Sequence, residues 1–220
     1  MKRLLVILLL VAPFAAGCVM HHAEVVGSGQ RQRQKRDVSS FSSITTEGAY
    51  QIEVVCQQSL SLEIEADDNI LPIITTDVSN GVLRIKSTRG FSVNRPILVK
   101  ISTPNIEAIS ASGAGTIEIS GLKNDKFEID SSGAPTIKVS GETGTLDIEA
   151  NGAGKIDAHK LRAVRSTVQA NGVARIEVFA REELNVTVSG PASVIYSGDP
   201  KVNKTVHGPG SVERRASEGA

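Results

Sequence analysis

The chain has no tryptophan, two tyrosines and five phenylalanines in 220 residues. A core cannot rest on so few rings, so aliphatic side chains must supply it, and an exposed aromatic platform for sugars is not available. Two cysteines, Cys18 and Cys56, allow at most one disulfide, which excludes a fold held by several staples. Basic and acidic residues number 24 each, so the chain exerts no overall pull toward nucleic acid. The longest apolar run, Leu4 to Ala12, is short of the ~20 residues that cross a bilayer. His21, His22, His159 and His207 lack a Cys or His partner at zinc-ligand spacing, and no catalytic or phosphate-loop motif is present.

What the chain does have is a repeat. Gly113, Gly133, Gly152, Gly172, Gly190 and Gly208 recur every 18 to 20 residues. Four residues after them stand Ile117, Ile137, Ile156, Ile176, Val194 and Val212; four before the first five stand Ile109, Ile129, Ile148, Val168 and Val186, and Lys204 breaks that second column. Within each copy, as in Thr116-Ile117-Glu118-Ile119, apolar residues fall at every second position, which is strand periodicity. Repeats of this length bury a core only by stacking. The expected fold is all-β: a parallel β-helix with about 18–20 residues per coil and the glycines at its corners.

Further columns follow from the same alignment. Glu118, Lys138, Asp157 and Glu177 form an outward ladder and are the candidate binding residues on the strand face. Asn151 and Asn171 are placed to share an amide hydrogen bond between coils. A seventh copy surrounds Gly48, with Ile44 and Ile52 in the two columns. Between it and Gly113, alternating segments such as Leu60–Glu65, Gly81–Ile85 and Ile97–Ile101 predict irregular strands and hairpins that cover one end of the solenoid.

The amino terminus supplies an address. Lys2 and Arg3, the apolar run and the small residues before Cys18 read as a secretory leader, and Gly17-Cys18 resembles a lipoprotein cleavage site that would place diacylglycerol on Cys18. Val19 is not the aspartate associated with inner-membrane retention, which favours the outer membrane. Arg31, Arg33, Lys35 and Arg36 follow in a polar stretch, read as a solvated tether or as a basic patch against anionic headgroups. The expected organisation is a leader over 1–17, a lipid-anchored flexible tether over 18–36, one β-helical domain over 37–215 and a disordered tail over 216–220. Cys56 continues the inward face after Val54 and reads as a small buried hydrophobe.

The order Gly27-Ser28-Gly29, Phe41-x-x-Ile44, Ser61 to Leu71, repeated Ser/Asn-Gly-Ala-Gly phrases, Tyr196-Ser197-Gly198-Asp199-Pro200 and Gly208-Pro209-Gly210-Ser211-Val212 resembles the bacterial head GIN domain family of auto-transporter adhesin heads. The resemblance spans roughly 25–215. It implies a β-helical envelope protein and provides no catalytic residues.

Functionally, the residues point to binding without catalysis and without a cofactor or metal. Asp130 and Glu149 share a column but read as a solvated strand face, and Asp67-Asp68-Asn69 reads as an acidic turn without the ordered ligands of a calcium loop. The expectation is a cell-envelope lipoprotein held to a membrane by its lipid, presenting a rigid solenoid to a glycan or protein ligand. Self-association into an envelope structure is the alternative, a polysaccharide lyase or hydrolase the less favoured one.

Overall fold

A computed structural model describes residues 24–216; the leader, Cys18 and the end of the tail lie outside the described residues. The repeats form a parallel β-solenoid of two walls that meet at the glycine corners. Its body is four long strands, β11 (Thr116–Ser131), β12 (Thr136–Ala150), β13 (Lys155–Ala170) and β14 (Arg175–Ser189), each of which runs through both walls. Shorter strands precede them in the chain: β1 (Val25–Val26), β2 (Arg31–Lys35), β3 (Ser43–Glu47), β4 (Tyr50–Val55), β5 (Ser61–Asp67), β6 (Ile74–Ser79), β7 (Val82–Ser87), β8 (Phe91–Ser92), β9 (Ile97–Ser102) and β10 (Ala108–Ser112). Three follow: β15 (Ser193–Ser197), β16 (Lys201–His207) and β17 (Ser211–Arg214).

The first wall carries the residues before each glycine, in the order β6, β7, β3, β10, the second halves of β11 to β14, and β16. The second carries those after it, in the order β2, β5, β9, β4, the first halves of β11 to β14, β15 and β17. Register matches the column alignment residue for residue. Ile44, Ile109, Ile129, Ile148, Val168, Val186 and Lys204 are successive partners on the first wall. Ile52, Ile117, Ile137, Ile156, Ile176, Val194 and Val212 are successive partners on the second. Apart from Lys204 these side chains are buried, and burial of each aliphatic chain contributes about 1.5–3 kcal/mol.

The glycines serve backbone approach more than turn angle. A Cβ on Gly113, Gly133, Gly152 or Gly172 would fall within 2.2 Å of the carbonyl oxygen of the glycine one coil earlier, and none of these four has a left-handed φ. The corners are hydrogen-bonded to each other, as in Ala153 N–H to Gly133 O at 2.9 Å. Beside them Asn171 Nδ2 donates to Asn151 Oδ1 at 2.9 Å, the interchain-like ladder expected from the sequence.

Between the Gly48 and Gly113 coils the chain builds one further coil and the strands that cap it. β7 and β9 run parallel to β3 and β4, with residues 88–96 as their corner in place of a glycine phrase. β6 then closes the first wall and β5 the second, both antiparallel, so one solenoid end is covered as expected.

One expectation is corrected. The stretch assigned to a flexible tether is part of the folded domain from Val25 onward: β1 pairs with β8, and β2 adds an antiparallel edge to β5. The reason is cross-strand charge. Arg31 faces Asp67, Arg33 faces Glu65 and Lys35 faces Glu63. Upstream, Ser28 N–H donates to Asn69 Oδ1, Ser28 Oγ to Asp68 Oδ1 and Gly29 N–H to Asp67 Oδ2. The acidic turn is therefore a latch for the Gly27-Ser28-Gly29 phrase.

Candidate functional site

A surface concavity of about 1030 Å³ lies where the long strands bend between the walls. It runs along the solenoid axis from Ser43 and Ala108 through β11, β12 and β13 to Arg181 on β14. On one side Lys123, Glu142 and Arg162 are successive register partners. On the other, Lys126 contacts Glu128 and stands 3.4 Å from Asp147. The hydrogen bond that Lys126 donates to Glu128, reinforced by the charges of both acids, holds the ammonium above its ordinary range.

The floor is polar and internally bonded. Asn124 Nδ2 donates to Ile106 O at 2.7 Å, Asn105 Nδ2 to Lys123 O at 2.9 Å, and Thr143 Oγ1 to Thr145 O at 3.1 Å. At Gly144 two coils approach closely, since a Cβ there would lie 2.6 Å from Asp125 O. Four cations, Lys123, Lys126, Arg162 and Arg181, are balanced by Glu107, Asp125, Glu128 and Glu142. The Arg162 guanidinium stacks over the Phe179 ring at 4.4 Å, which fixes a flexible side chain on the rim. No aromatic ring among the described residues is fully exposed.

The outward ladder is present and longer than the sequence indicated. Lys35, Glu63, Lys100, Glu53, Glu118, Lys138, Asp157 and Glu177 are partners in turn across eight strands of the second wall. Glu118 and Lys138 are exposed, whereas the side chains of Asp157 and Glu177 keep only 20% and 13% of their exposure, because His159 and two arginines cover them. Arg33 and Lys35 are exposed on edge strand β2; Arg36 turns inward and donates to Leu71 O at 3.0 Å. Cys56 is buried, and desolvation pushes its thiol up to about 11.

Asp130 and Glu149 are neighbours as the columns indicated, both exposed. Neutral partners hold them: Ser110 Oγ donates to Asp130 at 3.3 Å, and Asn151 Nδ2 to Glu149 at 2.9 Å. Sequence reasoning missed the groove, because its residues fall where the two-residue alternation lapses between walls. A signal existed in Glu142, Arg162 and Arg181, which recur at the coil period.

Two parallel walls and an open, polar, charge-balanced concavity between them define the protein as a β-solenoid. The chain belongs to the family described as "Putative auto-transporter adhesin, head GIN domain", whose model matches residues 40–200. Among solved structures, a "putative adhesin" from Bacteroides fragilis is similar at a TM-score of 0.70 and 22% identity, covering 87% of this chain and 100% of that one. A "putative lipid binding protein" from Parabacteroides distasonis gives 0.59 and 18%, over 88% and 100%. A "putative adhesin" from Parabacteroides merdae gives 0.56 and 21%, over 88% and 99%. At these identities the likeness is one of fold. No curated protein matches the chain.

Proposed function

We propose that the protein is a lipid-anchored, non-enzymatic envelope module, outer-membrane in a cell that has one, and that it binds a polar, uncharged oligosaccharide along the groove between its walls. The charge-balanced groove carries this reading. Balanced ammonium, guanidinium and carboxylate groups supply the donors and acceptors that sugar hydroxyls require without selecting a net charge. Its openness and lack of aromatic stacking favour weak contacts multiplied by many copies on a surface. Family membership supports a binding role.

Other features weigh against the competing readings. An acyl chain has no room inside, because the inward columns fill the solenoid. At the last coil, exposed Lys201 and Lys204 on β16 blunt edge pairing with a second copy. Asp130 and Glu149 lie on an open wall instead of a cleft, which disfavours glycosidic cleavage.

Anchoring at Cys18 would leave only residues 19–24 before β1, a span of at most about 25 Å, so the latched end would face the membrane. A glycan array probed with multivalent wild-type protein and with E142A/R162A tests the groove. Retention of neutral oligosaccharides by the wild type and their loss in the variant is the expected result; equal binding by both sinks it. Protease treatment of whole cells tests exposure, and a protected domain would rule out adhesion.

A further inference from the structure

The charge ladder of the second wall has two rungs that pair carboxylates, Glu53 with Glu118 and Asp157 with Glu177, and only the second has an imidazole beside it. Lys138 separates Glu118 from Asp157, but Asp157 and Glu177 are direct partners on β13 and β14, two carboxylates one strand spacing apart, about 4.8 Å. Like charges so placed repel unless a cation joins them. His159 stands two residues beyond Asp157 on the same strand, and its Nδ1 contacts Asp157 Oδ1. One ligand-capable atom from each of Asp157, His159 and Glu177 lies within 4.8 Å of the other two. The three side chains retain 20%, 29% and 13% of their exposure, so solvent reaches them from one side.

That side is a depression of about 250 Å³ lined by Asp157 and His159 together with Lys138, Ser140 and Lys160. On the opposite side Glu177 is engaged by Arg175 Nε at 3.4 Å and by Arg215. Arg215 immediately follows β17, the last strand, and its N–H donates to Tyr196 O at 2.7 Å, so only its side chain has to swing away from Glu177.

We propose that Asp157, His159 and Glu177 form a binding site for a divalent transition cation of the zinc class. One imidazole nitrogen and two carboxylate oxygens make a borderline donor set that suits zinc better than calcium, which takes six or more oxygens. Zinc bonds of about 2.0–2.2 Å need the ligand atoms about 3.4 Å apart, so rotation of Asp157 and Glu177 side chains completes the site without backbone movement. The fourth position faces the depression and takes water. Arg215 competes for Glu177, and an entering cation must displace it, which makes this arginine an internal brake on affinity.

The test is a titration of chelator-treated purified protein with Zn²⁺ by calorimetry and with Co²⁺ by its visible absorption. One saturable equivalent is expected. Affinity should fall at least roughly tenfold in H159A and in E177Q, and rise severalfold in R215A, with circular dichroism confirming that each variant is folded. Absence of saturation in the wild type below 1 mM, on the order of −4 kcal/mol of binding, overturns the site. So does a wild-type affinity in H159A, which would mark adventitious surface binding, or an unchanged affinity in R215A.

Discussion

The carbonyl oxygen of Gly133 lies 1.9 Å from the point that a Cβ on Gly152 would occupy. No side chain fits there, and the obstruction is backbone that is itself hydrogen-bonded to the next corner through Ala153 N–H. Gly152→Ala must therefore push two coils apart at a corner flanked by buried isoleucines. A loss of about 3 kcal/mol or more is expected in urea unfolding. Gly29→Ala provides the contrast, since nothing lies within 4 Å but φ is +80°, so its cost should be the ~1–2 kcal/mol of a left-handed residue. Equal losses would sink the distinction between crowding and backbone angle.

The same corner shows why the solenoid was legible in the sequence. Coil stacking forces chemically similar residues into register, so one glycine column and two aliphatic columns locate both walls of the Gly48 coil and of the coils from Gly113 to Val212. The coil made by β7 and β9 was not visible as a coil, because its corner spans residues 88–96 and carries no glycine phrase in phase with the others. The groove was hidden for a related reason: its residues sit where the chain bends between walls and the alternation fails. The cluster of Asp157, His159 and Glu177 depends on one rung meeting the next, and the sequence shows that neighbourhood only after alignment by coil. Charges misled most at the amino terminus, where Arg31, Arg33 and Lys35 read as solvated until Asp67, Glu65 and Glu63 are placed opposite them.

Asp67 is buried at 4% exposure, accepts from Gly29 N–H at 2.9 Å and stands 3.9 Å from Arg31 Nη1. Asp67→Ala leaves Gly29 N–H without its acceptor and removes a carboxylate that faces Arg31, at a cost of about 1–3 kcal/mol. Local release should exceed global loss. Trypsin is expected to leave the wild type intact at Arg31, Arg33, Lys35 and Arg36 and to cut the variant there, with mass spectrometry locating the sites. Rapid cleavage of the wild type at these residues would restore a flexible segment.

Cys56 should be silent to thiol reagents in the folded protein, because it is buried and desolvation pushes its thiol up to about 11. At pH 8 the native protein is expected to react negligibly and the unfolded protein within minutes. The unfolded count carries a second result. One thiol per chain in material isolated from membranes agrees with acylation of Cys18, whereas two would refute it.

Acid should loosen the latched end and the far end of the ladder together. Hydrogen bonding from Arg33 comes first in holding Glu65 below its ordinary 4.5, with the charges of Arg33 and Arg31 adding to it. For Asp157, burial raises the carboxyl, but the His159 hydrogen bond and charge, with Lys155, outweigh it and leave the net value below 3.8. A carboxylate whose folded value is depressed contributes fully above its unfolded value, and the contribution disappears as pH falls through the folded one. Stability from these two groups is thus expected to hold from neutrality down to about pH 5 and to decline below pH 4.5. R33A isolates the first group. It should be less stable than the wild type at pH 7, and the gap should narrow as pH falls below 4.5 and Glu65 takes up its proton. Urea midpoints at pH 7, 5 and 3 decide the matter, because a gap that persists unchanged at pH 3 would mean that Arg33 acts by packing its stem along β5 and not by charge.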